Sequence, residues 1–252
     1  MVQFSCSASE SLLSAVRVAR AYTGRTKITK FEGGHHGFTD PVSISAHPHD
    51  AEEHGTDESP RPVVDSAGIP IEVIEQVVVL TQDDMAGTER ILQENAEGLT
   101  CVILELESVA GGHMVLRKDF VQMIRRVTAE LGILFVLDET MNLRGAYNGM
   151  QSLYGADGDL TVMGRIIGGE LPFRAVAGKA AIMQVMADGT VPISGTHHGH
   201  RLALVAGIGE SNPGSEIRAW WAAMDRSMAC CLAGSSPITV NSVVADESKP
   251  KG

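Results

Sequence analysis

The chain has 252 residues, of which 44% are hydrophobic and only 4% aromatic, so aliphatic side chains must fill the core of one or two domains. Its net charge of -11 argues against nucleic acid as a partner, because no basic surface is available to neutralise phosphates. Apolar runs too short for a bilayer, and no signal-peptide pattern, lead us to expect a cytoplasmic protein without membrane contact.

The first predicted element is a helix that begins at Ser7. Ser7 and Glu10 fit a capping box, apolar residues follow at helical spacing, and Gly24 suits the C-terminal cap. Residues 27–31 have the pattern of a short strand. Residues 40–70 are polar and rich in Pro, His, Asp and Glu, so we predict a long surface loop there.

The middle of the chain alternates apolar strands with helices. Continuous apolar runs predict strands at 77–80, 101–104 and 133–137, and helical spacing predicts helices at 84–97 and 118–131. Strands that are apolar on both faces and separated by helices are typical of parallel sheets. We therefore predict an α/β fold, with a mainly parallel sheet covered by helices on both faces.

The pattern becomes less regular after Asp138. Further strands and helices are predicted at 160–163, 173–177, 180–186, 201–208 and 216–232. The last residues, 233–252, are expected to be disordered. We divide the chain into a large domain, residues 1–209, and a divergent C-terminal part, residues 210–252, with one helix and a tail.

Two positions have the chemistry of a ligand site. The turn Ser7-Ala8-Ser9 opens a helix, where free N–H groups, hydroxyls and the helix dipole suit a phosphate. The alternative is an ordinary helix cap. Asp138 ends a buried strand at the sheet edge where ligands gather in open α/β folds. The alternative there is a charged residue that simply caps the strand.

Several segments together resemble the class III aminotransferases, and within them the glutamate-1-semialdehyde aminomutases. The segments are Ser7-Ala8-Ser9, Gly33-Gly34-His35-His36-Gly37, the run from Asp138 to Arg144, the glycine-rich bend around Arg165, and Ser194-Gly195-Thr196. The resemblance runs from about Phe4 to about Gly209. It implies the large domain of the fold type I pyridoxal phosphate enzymes, without the family's N-terminal segment and small C-terminal domain.

The resemblance implies how the cofactor phosphate is held. Ser7, Ala8 and Ser9 stand where the family has a Ser-Gly-Thr turn around the phosphate. Ala8 replaces the glycine, which is unfavourable if the turn needs positive φ. Thr196 matches a threonine that reaches the phosphate of the neighbouring subunit, so the resemblance also implies a homodimer with shared sites.

The resemblance also implies contacts to the cofactor ring. His35 takes the place of a tyrosine that stacks on the pyridine ring, and Glu105 lies near the ring edge. Asp138 would pair with the ring nitrogen and make the ring a better electron sink. Without the resemblance, His35 and His36 would be assigned to a solvated turn, and Glu105 to a polar strand end.

Arg165 stands where the family has the lysine that forms the Schiff base with pyridoxal phosphate. Arginine stays protonated at any usable pH, so it can neither attack an aldehyde nor shuttle protons. We therefore expect either form of the cofactor, pyridoxal or pyridoxamine 5′-phosphate, to bind without a covalent link. His35 or His36 is the candidate proton carrier. Arg165 could instead hold an anion, or form an ion pair with Asp138 or Glu105.

Three functions remain open at this stage. The first is an enzyme on an aminotransferase-like domain that has lost ordinary transamination and uses the site for another reaction on a small molecule. The second is a non-catalytic scaffold that pairs with itself or with a complete homologue. The third is a degenerate gene product, which the loss of the family pattern after Gly209 favours.

Histidine clusters raise the question of a metal. Three histidines fall within residues 197–200 and three within residues 47–54, but neither cluster has cysteine or carboxylate partners at diagnostic spacing. We therefore predict no metal site. The four cysteines show no metal spacing or disulfide framework, which fits a reducing compartment.

Overall fold

The computed structural model describes residues 1–47, 51–169 and 171–210. In chain order, its strands are β1 (Val2–Ser5), β2 (Lys27–Phe31), β3 (Gly55–Thr56), β4 (Ser59–Pro60), β5 (Val77–Leu80), β6 (Leu99–Leu104), β7 (Glu107–Ser108), β8 (Met114–Val115), β9 (Leu134–Asp138), β10 (Leu160–Met163) and β11 (Arg174–Gly178). Its α-helices are α1 (Ala8–Thr23), α2 (Ala51–His54), α3 (Ile71–Ile74), α4 (Met85–Glu94), α5 (Lys118–Leu131), α6 (Gln151–Tyr154), α7 (Ala180–Ala187) and α8 (Arg201–Glu210). Short 3-10 helices lie at Asp40–Val42 and Leu143–Gly145.

Seven strands form one sheet in the order β1-β11-β10-β9-β6-β2-β5. The neighbours from β5 to β10 pair in parallel, whereas β11 runs antiparallel to both β10 and β1. The predicted fold class, a mainly parallel sheet with helices, is therefore confirmed. The edge strand β1 and the two short hairpins, β3–β4 and β7–β8, were not predicted.

Helices cover both faces of the sheet, as predicted. On one face α1 and α7 pack against inward side chains such as Ile103 and Val162. On the other face α4 and α5 pack against side chains that include Phe135. No helix in the described part of the chain combines the length and apolar character needed to cross a bilayer.

Local signals placed several helix ends correctly. Ser7 caps α1 in a full capping box with Glu10, and Gly24 closes the helix with φ of 71°. The bounds of α5, residues 118–131, agree with the prediction, whereas α4 ends at Glu94 rather than at residue 97. The helix and tail predicted for residues 216–252 lie outside the described residues.

The predicted surface loop at 40–70 is wrong for its first part. Val42 and Ile44 are buried in the core beside α1, and Ile44 forms a β-bridge with Val64. The ammonium group of Lys30, itself fully buried on β2, donates a hydrogen bond to the Ile44 carbonyl. The few apolar residues of this segment therefore pack into the core. The polar composition of the segment gave no indication of this.

Candidate functional site

The carboxyl ends of β6 and β9 and the N-terminus of α1 surround a cavity of about 340 Å³. Eight residues singled out in the sequence line it: Ser7, Ala8, Ser9, His35, His36, Glu105, Asp138 and Arg165. The fold thus brings together side chains from five separate segments. Thr196 does not line the cavity and is exposed in the described chain.

The turn at the start of α1 has the geometry of an anion site. The Glu10 carboxylate accepts hydrogen bonds from the N–H groups of Cys6 (2.8 Å) and Ser7 (2.9 Å). The next N–H groups, those of Ala8 and Ser9, belong to the first turn and have no intrahelical acceptor. These donors, with the two serine hydroxyls, suit a phosphate at the positive end of the helix dipole.

Ala8 is compatible with this turn. It is the first residue of α1, and its φ is not positive. The concern that alanine would strain the turn is therefore unfounded, because an α-helical position accepts alanine better than glycine. The substitution leaves the backbone donors in place.

The segment from Gly33 to Gly37 packs closely against the start of α1. Gly37 has φ of 97°, and a Cβ at this position would lie 2.3 Å from the Oγ of Ser9. That hydroxyl also accepts a hydrogen bond from the Phe38 N–H at 3.3 Å. Glycine is required here both for its backbone conformation and for the close approach, which holds His35 and His36 at the cavity.

His36 and Asp138 form a buried pair on the cavity wall. Nδ1 of His36 lies 2.9 Å from Oδ2 of Asp138, and the Thr140 N–H donates to Oδ1 at 3.1 Å. Burial favours the protonated acid, but the His36 contact and the Thr140 hydrogen bond outweigh it and hold the pKa of Asp138 below its usual value. Asp138 is therefore an ionised carboxylate, although its side chain is buried.

His35 is the exposed histidine of the pair. Its backbone N–H donates to Oε1 of Glu105 at 3.0 Å, and its ring lies 5.8 Å from the ring of His47. Burial lowers the pKa of His35, and the nearby His36, His47 and Lys30 lower it further. The imidazole is consequently neutral at pH 7 and can accept a proton.

Glu105, on the cavity wall, and Lys30, buried on β2, form a second pair of interacting titratable groups. Burial raises the pKa of Glu105. Burial also lowers the pKa of Lys30 to about 8, although the surrounding carboxylates of Asp65, Glu32 and Glu105 oppose this. Lys30 was not singled out in the sequence. The signal that would have identified it is a lysine inside a predicted strand of a sheet that is buried on both faces.

Arg165 occupies the cavity wall in a strained backbone conformation, with φ of 29°. Asp138 contacts His36, and Glu105 accepts from the backbone of His35. In the described part of the chain no acceptor lies within hydrogen-bond distance of the Arg165 guanidinium, which is exposed. The alternative of an ion pair between Arg165 and Asp138 or Glu105 is therefore wrong.

Five residues that line the cavity were not singled out as site residues: Cys6, Gly37, Thr140, Met141 and Arg174. Arg174 comes from β11, which runs antiparallel to both of its neighbours, so the pattern of parallel strands did not predict its position. Gly37, Thr140 and Met141 lie in segments that carry the family resemblance, and Cys6 precedes Ser7. Their positions beside predicted site residues were the signal that could have identified these four.

Comparison with known proteins gives a consistent result. The family model described as "Aminotransferase class-III" matches residues 1–210. The glutamate-1-semialdehyde 2,1-aminomutase of Persephonella marina is 37% identical over 210 residues, which are 82% of this chain and 47% of that protein. The same enzyme from Sulfurihydrogenibium azorense is 38% identical with the same coverage. The chain thus spans about half the length of the curated relatives it matches.

Solved structures share the fold. An omega-transaminase from Sphaerobacter thermophilus superposes with a TM-score of 0.79 at 34% identity, covering 92% of this chain and 52% of that one. A structure described as "Transaminase with PLP bound" gives a TM-score of 0.76 at 28% identity, covering 93% of this chain and 56% of the other.

Proposed function

Because the chain belongs to the class III aminotransferase family, we propose that its cavity binds pyridoxal or pyridoxamine 5′-phosphate without a covalent link to the protein. The observation that carries this proposal is the pairing of two complementary features in one cavity. An ionised Asp138 lies on one wall, and the first turn of α1 presents free N–H donors on another. The donor set therefore fits a ligand with a basic ring nitrogen and a phosphate.

Each end of the cofactor would have its own partners. Asp138 would accept a charge-assisted hydrogen bond from the protonated ring nitrogen, while its contact with His36 fixes the orientation of the carboxylate. The N–H groups of Ala8 and Ser9, with the serine hydroxyls, would hold the phosphate. When bound, the cofactor supplies an electron-withdrawing ring that stabilises negative charge on a substrate carbon.

The chain's own residues restrict the chemistry that this site can perform. Arg165 cannot serve as a nucleophile or as a proton shuttle, so ordinary transamination is lost in this proposal. His35 is the candidate proton carrier, because it is neutral at pH 7 and faces the cavity, whereas Nδ1 of His36 is occupied by Asp138. The Arg165 guanidinium can hold a carboxylate or phosphate group of a small-molecule substrate.

The direct test is calorimetric titration of the protein with pyridoxamine 5′-phosphate and with pyridoxal 5′-phosphate. We expect saturable binding at one site per chain for both. Pyridoxamine, which lacks the phosphate, is the matched ligand control. It should bind at least tenfold more weakly because it cannot form the phosphate contacts at the N-terminus of α1. Absence of saturable heat for both phosphorylated forms would refute the proposal.

A second function, a non-catalytic scaffold, is favoured by apolar side chains that the described chain leaves exposed. Phe38 is 80% exposed, and Leu202 and Val205 on α8 are 62% and 63% exposed. We propose that a second copy of the chain, or a complete homologue, covers such side chains. Sedimentation velocity should show a dimer that Leu202→Glu weakens. A dimer that forms while both titrations fail would leave the scaffold as the surviving function, and a monomer would exclude it.

A further inference from the structure

The loop before α8 brings a histidine to the N-terminus of α1. Nε2 of His198 lies 3.9 Å from Oε1 of Glu10. One ligand atom each from Cys6, Glu10 and His198 lies within 4.8 Å of the other two. The spacing of these residues in the sequence does not predict the group, because Cys6 and Glu10 come from the first described segment and His198 from the last.

We propose that Cys6, Glu10 and His198 form a binding site for a zinc-class divalent cation, with water as the fourth ligand. Thiolate, imidazole and carboxylate are the three donor types that Zn²⁺ prefers. Tetrahedral coordination at the usual bond lengths places ligand atoms roughly 3.5 Å apart. The group therefore has to contract by about 1 Å, which side-chain rotation can provide without moving the backbone. This proposal differs from the expectation, drawn from sequence spacing, that the chain holds no metal.

Two features position the donors. The Oε2 atom of Glu10 is fixed by the N–H groups of Cys6 and Ser7, which leaves Oε1 directed at His198. The ring of His198 lies against Gly195, where a Cβ would be 2.4 Å from Nε2. Gly195 is thus required for the ring to occupy this position. Fixed second contacts of this kind orient ligands and strengthen metal binding.

Metal binding at this group has defined chemistry. The Cys6 thiol releases its proton to solvent as the sulfur–metal bond forms, and no oxidant or reductant is needed. Affinity should therefore increase with pH. The cation would also link the loop before α8 to α1, so zinc should raise the unfolding temperature in proportion to the logarithm of its free concentration.

The test uses the full chain carrying Cys230→Ser and Cys231→Ser, because this cysteine pair lies outside the described residues and could itself bind zinc. Titration with Zn²⁺ alone should show one site per chain. Titration with Co²⁺ should give a thiolate charge-transfer band in the absorption spectrum. Cys6→Ser should abolish that band, and Cys6→Ser and His198→Ala should each lower the affinity at least tenfold. His197→Ala, which removes an exposed neighbouring histidine, is the matched control and should bind as the parent does.

Either of two results would overturn the site. One is the absence of stoichiometric Zn²⁺ binding by the parent chain. The other is an affinity that Cys6→Ser or His198→Ala leaves unchanged. If the affinity falls instead with His197→Ala, the metal belongs to surface histidines. Circular dichroism of each variant confirms that it is folded. Because no cofactor is present, failure here leaves the proposed function untouched, and failure of the cofactor titrations leaves this site untouched.

Discussion

The substitution Asp138→Asn tests the proposed contact with the ring nitrogen. Asparagine has nearly the same shape and keeps an oxygen that can accept the hydrogen bond of His36, so the cavity wall should persist. What disappears is the negative charge, together with one acceptor oxygen, because the amide nitrogen of asparagine cannot accept the hydrogen bond that the Thr140 N–H donates. Asp138 is buried, and its pKa lies below the usual value because His36 and Thr140 outweigh the effect of burial, so the native group is ionised at pH 7.

The size of the effect follows from the interaction that is lost. A hydrogen bond to a charged group contributes about 1.5 to 3 kcal/mol. At about 1.4 kcal/mol per factor of ten, the affinity for pyridoxamine 5′-phosphate should fall roughly tenfold to 150-fold. The affinity for inorganic phosphate, which reaches only the turn at α1, should change less than threefold.

Calorimetric titration of both proteins at pH 7.5 measures this difference. Glu97→Gln is the matched control, because it removes one negative charge at an exposed position outside the cavity. If Asp138→Asn and Glu97→Gln bind pyridoxamine 5′-phosphate equally well, Asp138 does not contact the ring, and the assignment of the two cavity ends is wrong.

Two further predictions concern the packing and titration of the site. Gly37→Ala should lower the free energy of unfolding by about 2 kcal/mol or more in urea titrations, because its Cβ would strike Ser9. Gly68→Ala, with a similar φ of 93° and open space around it, should cost less, and equal losses would contradict the proposed clash. Burial raises the pKa of Glu139 from 4.5 to about 7, so the folded state binds the Glu139 proton more tightly than the unfolded state does. The stability that this proton contributes is lost as pH rises from about 4.5 through 7. Between pH 5.5 and 8.5 the wild type should lose about 2 kcal/mol relative to Glu139→Gln, and parallel pH profiles would show that Glu139 titrates normally.

Much of the fold was predictable because local patterns and tertiary packing agree. The spacing of Phe120 and Ile124 defined α5, and the continuous apolar run of β6 indicated a strand buried on both faces. Val42 and Ile44 were missed because two apolar residues in a polar segment make no periodic pattern. The strand β1 was missed because its four residues are stabilised by pairing with β11, which is distant in sequence.

The site was predictable only in part, for a similar reason. Asp138 was found from its place at the end of a buried strand, and Ser7 from its capping box. Partners were not predictable from the residues alone, because the contact of Asp138 with His36 and that of Glu105 with the backbone of His35 span long stretches of chain. The sequence predicts which residues lie at the edge of the sheet, but only the folded structure shows which of them are in contact.

The most direct test of non-covalent cofactor binding compares the wild type with Arg165→Lys. Each protein is mixed with pyridoxal 5′-phosphate, reduced with borohydride, digested and examined by mass spectrometry. We predict that the wild type binds the cofactor but carries no stoichiometric adduct, whereas Arg165→Lys carries one per chain on the peptide that contains position 165. A stoichiometric adduct on a native lysine of the wild type, such as Lys30 or Lys179, would contradict the account, as would the absence of any adduct at position 165 in the variant.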